Sequence, residues 1–83
     1  MGDEARDIVV CSHSAYNELV AEIYFGGEFF GLVSEEGAPR LFQLEVHPRK
    51  DGDPWKLGLA DVQEAIRQAA DRLAQMPRLG VRE

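Results

Sequence analysis

The clearest pattern in the chain is an alternation of side chains around a pair of adjacent glycines. Residues 19–25 alternate with a period of two, and residues 28–34 resume the alternation after Gly26 and Gly27. This period is typical of β-strands, and two glycines supply the positive φ angles of a two-residue turn. The pattern therefore predicts a β-hairpin over residues 19–34.

Two further segments complete the predicted fold. Turn-forming residues at 35–39 lead into a third alternating strand at residues 40–46. After residue 58 the apolar spacing becomes three and four, which is typical of one face of an α-helix. This spacing is carried by Leu59, Val62, Ile66, Ala69, Leu73 and Met76. The helix is expected to end near Met76, because Pro77 follows it.

The start of this helix has two interpretations. Asp53 and Pro54 could be its N-cap and first position, which would place Gly58 inside the helix. Alternatively, the helix begins near Leu59. We prefer the second interpretation, since a glycine inside a helix costs about 1 kcal/mol relative to alanine.

The order of these elements predicts an α+β fold. It is a three-stranded antiparallel meander followed by one C-terminal helix that packs on one face of the sheet, in the order β-β-β-α. The run from Ile8 to Cys11 is also β-prone and is either a short extra edge strand or an apolar anchor. One domain is expected over residues 8–76, with a flexible N-terminus at 1–7 and a flexible tail at 77–83.

Counting through the diglycine turn predicts which side chains share a face of the sheet. The turn places Tyr24 opposite Phe29, and directly opposed residues share a face. The helix-covered face is predicted to carry Leu19, Ala21, Ile23, Phe30 and Leu32. If the third strand has the matching register, it also carries Phe42, Leu44 and Val46. The second face is predicted to carry Val20, Glu22, Tyr24, Phe29 and Val33, with Leu41 at one edge.

This second face is too apolar for a sheet surface that meets water. A single helix covers only one face, and contiguous exposed apolar patches mark interfaces. The second face could be covered by residues 8–10, by a second copy of the chain or by a different protein. The predicted interface residues are Val20, Tyr24, Phe29, Val33 and Leu41.

Size and charge narrow the possible classes of function. The chain has 83 residues, a formal net charge of −6 and one cysteine, Cys11. The acidic charge disfavours binding to nucleic acids and to anionic membranes, and a single cysteine excludes an internal disulfide. We expect no signal peptide and no membrane-spanning segment, and therefore a cytoplasmic protein.

No set of residues predicts catalysis, a cofactor or a metal. Cys11, His13 and His47 do not have the spacing of a zinc site. The segment from Ser12 to Ser14 lacks the Gly-x-Ser-x-Gly motif of a nucleophile. Asp51-Gly52-Asp53 lacks the remaining ligands of a calcium loop and is better interpreted as a turn.

The loop at residues 47–55 carries two further features. Arg49 and Lys50 form a small basic spot, interpreted as a solvated loop or as a contact for a phosphate or carboxylate. Trp55 is the only tryptophan, and we expect it to cap one end of the core.

Two strings of the sequence carry a resemblance to known proteins. Residues 20–34 (VAEIYFGGEFFGLVS) and 65–73 (AIRQAADRL) resemble small bacterial proteins of unknown function, over residues 18–74. The β-β-β-α order also resembles the partial-barrel domain of HicB-type antitoxins, which dimerises and binds a toxin. The Gly-Tyr and Pro-Gly-Cys strand motifs of that family are missing here, as is a DNA-binding segment. The resemblance is therefore one of topology, which does not transfer function.

Three hypotheses about function follow. The first is a non-enzymatic protein-interaction module in which the second sheet face or the edge strand mediates self-association, as a homodimer, or binds another protein. The second is an acidic, antitoxin-like inhibitor that binds a basic partner, since net charge steers association. The third is a small ligand-binding or enzymatic domain that uses the 47–55 loop.

Overall fold

The computed structural model describes residues 6–37 and 41–76, and these form four strands and one helix. The elements are β1 (Arg6–Cys11), β2 (Val20–Phe25), β3 (Glu28–Glu35), β4 (Phe42–Val46) and α1 (Leu59–Ala74). The strands make one antiparallel sheet in the order β1-β2-β3-β4. The predicted α+β fold is confirmed, with the sheet extended by one strand at its N-terminal edge.

The segment at residues 8–11 is a strand rather than a loose anchor. It begins at Arg6 and pairs with β2, with Ile8 opposite Ile23. Arg6 and Asp7 therefore belong to the sheet, although residues 1–7 were predicted to be flexible. Residues 1–5 and the predicted tail at 77–83 lie outside the described residues.

The diglycine turn is formed as predicted. Gly26 has φ 58° and Gly27 has φ 83°, which are the two positive angles of a tight hairpin turn. Phe25 lies opposite Glu28 and Tyr24 lies opposite Phe29. The first two residue pairs of the hairpin therefore match the prediction.

Beyond these two pairs a β-bulge changes the register. Ile23 pairs with Gly31 rather than with Phe30, so β3 carries one extra residue at this point. Ala21 consequently lies opposite Val33. The predicted faces of Leu32 and Val33 were therefore wrong: Val33 lies under the helix and Leu32 lies on the second face. One extra residue exchanges the faces of everything that follows it in a strand.

Gly31 makes this bulge possible because β4 passes close to it. A Cβ atom at residue 31 would overlap the carbonyl oxygen of Glu45 and lie 3.0 Å from the Cα of Val46. Only a residue without a side chain fits such a close approach of two backbones.

Helix α1 begins at Leu59, as preferred from the sequence, after an extended N-cap residue at Gly58. It buries Ala65, Ala69 and Leu73 against β1, β2 and β3. Trp55 caps one end of this core, as expected. The remaining members of the core are Ile8, Ala21, Ile23, Phe25, Phe30 and Val33.

The Trp55 side chain is fixed by contacts with two aromatic rings and by one hydrogen bond. Its ring makes edge contacts with Phe30 at 5.3 Å and with Phe25 at 6.5 Å between centroids. Its Nε1 donates to the carbonyl oxygen of His47 at 2.8 Å. These contacts fix the loop that returns from β4 to the start of α1. Within the described residues, no helix is long and apolar enough to cross a membrane.

Candidate functional site

The backbone of β4 presents one row of hydrogen-bonding groups to the outside of the sheet. The N–H of His47, just after the strand, donates to the carbonyl oxygen of Phe30 at 2.9 Å. Along an antiparallel strand, the backbone N–H and C=O groups of successive residues point to opposite sides, so those of Glu45 and Gln43 also point toward β3. The backbone N–H and C=O groups that point away from β3 belong to Phe42, Leu44 and Val46. No described strand pairs with this outer side of β4.

The same three residues carry apolar side chains on the helix-side face. Leu44 lies opposite Val33 in the register, yet 44% of its surface is exposed, and Val46 is 51% exposed. A helix is about 10 Å wide and strands lie about 4.8 Å apart, so one helix covers two to three strands. Helix α1 packs on β1, β2 and β3. On β4, Phe42 is half-buried against the core, whereas Leu44 and Val46 remain at the surface.

The opposite edge of the sheet is different, because α1 reaches it. The same alternation, carried across β3 and β2, directs the backbone groups of Ile8 outward from β1. The Nη1 of Arg72 donates to the carbonyl oxygen of Ile8 at 2.7 Å. Arg6 also lies 4.0 Å from the carboxylate of Asp61 at the start of α1. Both contacts tie the β1 edge to the helix.

The second face of the sheet is covered along part of its length by the β1–β2 loop. Val20 and Leu32 are 0% and 1% exposed, although they do not belong to the core under the helix. The hydroxyl of Tyr16 in this loop donates to Glu45 on β4. Glu45 lies opposite Leu32 of β3 in the register, so this bond brings the β1–β2 loop to the second face next to Leu32.

The loop is also fixed at its end. The backbone N–H of Glu18 donates to the carboxylate of Glu36 at 2.8 Å. The rings of His13 and Tyr16 meet edge to face with centroids 5.4 Å apart. This part of the second face is therefore closed by the chain itself.

The uncovered part of the second face is aromatic. The Tyr24 and Phe29 rings lie 5.5 Å apart, and the ring of His47 lies 4.9 Å from that of Phe29. All three side chains are half-buried. The hydroxyl of Tyr24 donates to Glu22 at 2.8 Å, and this bond raises the pKa of Tyr24. The row is a packed cross-strand cluster with polar outer ends.

Glu45 joins the loop to this cluster. Its carboxylate accepts from the Tyr16 hydroxyl and lies 2.6 Å from Nε2 of His47. The hydrogen bond from Tyr16, with a smaller effect from His47, lowers the pKa of Glu45. The same bond raises the pKa of Tyr16. The contact is strongest when Glu45 is ionised and Tyr16 is protonated.

Cys11 and Glu22 form a small polar pair on the same face. Burial of the thiol, reinforced by the nearby carboxylate of Glu22, raises the pKa of Cys11. A raised pKa keeps the thiol protonated at neutral pH and makes it a poor nucleophile. This pair therefore favours a structural role for the cysteine.

The five predicted interface residues do not lie together. Tyr24 and Phe29 are adjacent, as predicted. Val20 lies on the same face but is buried within the chain, and Val33 faces the helix because of the bulge. Leu41 is 55% exposed just before β4. An interface through these residues stays a prediction, and the structure changes which of them are accessible.

The loop at residues 47–55 borders a cleft of about 170 Å³. The guanidinium of Arg49 lies over the Trp55 ring at 5.4 Å and contacts the carboxylates of Glu28 at 3.5 Å and Asp51 at 3.7 Å. The carboxylate of Glu28 also accepts from the N–H of Lys50. Arg49 and the carboxylates of Glu28 and Asp51 thus form one ion-pair network that organises the loop.

The other chemical candidates are ordinary turn residues. Nδ1 of His13 accepts from the N–H of Ala15 at 3.1 Å, and Asp51 accepts from the N–H of Asp53 at 2.9 Å. Over residues 6–37 and 41–76, no group of three or more His, Cys, Asp or Glu side chains could hold a metal ion.

Sequence reasoning named an edge strand as a possible interface but did not identify β4 or the exposure of Leu44 and Val46. Leu44 and Val46 were assigned to the helix-covered face, and their side chains do point to that side. The width of one helix against four strands was the signal that could have revealed their exposure. The sequence contains no signal for the contact of Arg72 with β1, because the partner of Arg72 is a backbone carbonyl distant in sequence.

Comparison of the chain with known protein families, with curated proteins and with solved structures gave no match.

Proposed function

We propose that this protein is an interaction module that binds another β-strand along the outer edge of β4. The proposal rests on two features that occur together on β4, namely outward-pointing backbone groups and exposed apolar side chains. Two of the three residues whose backbone groups point outward, Leu44 and Val46, also have exposed apolar side chains beside the helix. An added strand would satisfy the backbone groups and cover the side chains at the same time.

The contrast with β1 supports the choice of edge. Proteins protect strand edges with charged side chains or with covering elements. The outward carbonyl of Ile8 on β1 is bonded by Arg72. Strand β4 has one charged residue, Glu45, and its carboxylate is held over the second face by Tyr16 and His47. Its outer edge lacks the protection that β1 has.

The edge of β4 is a better candidate than the second face. There, Tyr16 bonds Glu45 of β4, and Val20 and Leu32 are already buried. The accessible remainder is the pair Tyr24–Phe29, which has neighbours of its own. By contrast, Leu44 and Val46 form a contiguous apolar strip next to backbone groups that no described strand pairs.

A seven-residue peptide with the sequence of residues 41–47 would test this proposal directly. The full chain, held at low micromolar concentration and labelled with ¹⁵N, is titrated with this peptide. We expect the amide signals of Phe42, Leu44 and Val46 to shift, and their hydrogen exchange to slow, because these amides point outward. A titration whose shifts avoid β4, or concentrate at Tyr24 and Phe29, would refute the proposal.

Leu44→Pro provides a second measurement. Proline removes the N–H of residue 44, which points outward, so the bonds between β3 and β4 remain. We expect the variant to stay folded and to lose at least tenfold in peptide affinity. Val10→Pro is the matched control, since it removes an outward N–H from β1 and should leave peptide binding unchanged.

A further inference from the structure

We infer that the strand bound by β4 is β4 of a second copy, in an antiparallel register centred on Leu44. The inference rests on the proposed function and names its partner. In this arrangement the two sheets join into one sheet of eight strands. A twofold axis perpendicular to the sheet passes between the two Leu44 residues, and both helices lie on the same side.

The backbone geometry favours this register. The backbone N–H and C=O of Leu44 point outward from the sheet. Leu44 of each copy can therefore exchange N–H···O=C bonds with Leu44 of the other. Phe42 of one copy lies opposite Val46 of the other, and these residues also point outward. The register thus overlaps all of Phe42–Val46 and makes about six backbone hydrogen bonds. Shifting one strand by two residues in either direction shortens the overlap and reduces the number of backbone hydrogen bonds.

The side chains fit the same register. On the helix side, the apolar residues of β4 meet the same set of residues of the second copy, in the groove between the two α1 helices. The most exposed of them, Leu44 and Val46, are the ones that gain a cover. Contact of a surface with itself is the geometry of a twofold interface.

On the second face, the register avoids placing like charges opposite each other. Glu45 of one copy lies opposite Gln43 of the other. The neighbouring register, centred on residue 45, would oppose two Glu45 carboxylates, and directly opposed like charges are destabilising. The only acidic residue of β4 therefore selects against that alternative.

Cysteine cross-linking measures this register. In a Cys11→Ser background, Leu44→Cys places two thiols at the twofold axis, with Cα atoms about 5.5 Å apart, which suits a disulfide. Val46→Cys is the matched control, since its two copies lie about 14 Å apart along the strands. We expect a cross-linked dimer from residue 44 and none from residue 46 under mild oxidation. Cross-linking at residue 46 alone would overturn the register.

Charge reversal gives an independent measurement in solution. Gln43→Lys would oppose Glu45 of the other copy and should tighten the dimer at least threefold in sedimentation equilibrium. Gln43→Glu should weaken it by a similar factor. Equal effects of the two variants would contradict the placement of Gln43 opposite Glu45.

Leu44→Lys and Val9→Lys separate the two edges. Their positions have nearly equal exposure, 44% and 45%, on β4 and β1 respectively. We expect Leu44→Lys to weaken the dimer at least tenfold and Val9→Lys to leave it unchanged. Since each copy carries a formal charge of −6, added salt should tighten the dimer.

The inference and the proposed function fail in distinguishable ways. A chain that is monomeric at millimolar concentration, but whose β4 amides respond to the peptide, would overturn the self-pairing and leave strand binding standing. A monomer that also ignores the peptide would overturn both.

Discussion

The two edges of the sheet meet solvent in different ways. At β1 the helix supplies Arg72 to the carbonyl oxygen of Ile8, and Asp61 lies near Arg6. At β4 the apolar side chains of Leu44 and Val46 are exposed, and no described strand pairs with the outer backbone groups. The two edges therefore differ within the described residues, since the helix bonds an outward carbonyl of β1 and no described strand lies beyond β4.

The difference arises from how few elements cover the sheet. One helix spans three of four strands, and its position over β1, β2 and β3 determines which edge it protects. The β1–β2 loop compensates on the second face, where Tyr16 reaches β4. It does not reach the outer backbone groups of that strand. A small domain with one helix can protect one edge well, and here that edge is β1.

Gly31→Ala should have the largest effect, because it attacks the junction of β3 and β4. The new methyl group would overlap the carbonyl oxygen of Glu45, so β4 must move away. We expect a loss of about 3 kcal/mol in the free energy of unfolding, at the upper end of typical overpacking costs. Urea denaturation measures the loss. Gly58→Ala is the control, since its φ of −61° suits an alanine and the nearest atom to its added Cβ is the end of the flexible Asp61 side chain.

Hydrogen exchange then shows where Gly31→Ala acts. Amides shared by β3 and β4 should lose protection, whereas those shared by β1 and β2 should keep most of it. A uniform loss over the whole sheet would contradict the distinction between the two edges.

Arg72→Met should have the next largest effect, because it removes the contact that closes β1. Hydrogen bonds from charged donors contribute about 1–3 kcal/mol, and this one lies at a partly exposed site. We expect a loss of about 1 kcal/mol in urea denaturation. Arg67→Met is the matched control, since Arg67 contacts only Glu64 and Asp71 on the exposed side of the same helix. Similar losses for both variants would argue against a special role for Arg72.

Tyr16→Phe should have a smaller effect, confined to the β4 side of the second face. The variant keeps the ring and removes the hydroxyl that donates to Glu45. We expect a loss of stability below that of Arg72→Met, and a rise in the pKa of Glu45 toward its ordinary value. NMR titration of the Glu45 side chain measures the second change. An unchanged Glu45 pKa would show that His47 alone sets it.

The pH dependence of this contact is the smallest effect we expect. Glu45 has a lowered pKa, so its contribution is complete above the ordinary carboxylate pKa and is lost as pH falls through the lowered value. Tyr16 has a raised pKa, so its contribution is complete below the ordinary phenol pKa and is lost as pH rises through the raised value. The ring signals of Tyr16 should therefore change at both ends of the pH range. A single change, at one end, would contradict the pairing.

Local signals in the sequence predicted the parts of the fold that depend on local geometry. The turn at Gly26 and Gly27 and the helix start at Leu59 follow from backbone propensities, and both were correct. The bulge at Phe30 could not be predicted, because it depends on how closely β4 approaches Gly31. The bond from Arg72 to Ile8 joins residues far apart in the chain, and no periodicity reports it.

The candidate site was predicted in part for the same reason. The pairing of Tyr24 with Phe29 lies beside the turn and was correct, whereas Val33 lies beyond the bulge and was assigned to the wrong face. That Leu44 points to the helix side was predicted correctly. Its exposure depends on the breadth of the sheet, which the sequence left open because residues 8–11 could be a strand or an anchor.

The extra residue in β3 also affects how relatives of this protein could be recognised. Across the bulge the alternation changes phase, so the strand matches one pattern before Gly31 and the inverted pattern after it. A relative without the bulge would need apolar and polar letters exchanged over residues 32–35 to keep the same core. Alignments should therefore allow a one-residue gap at Phe30-Gly31, since ungapped comparison would count every later position of the strand as a mismatch.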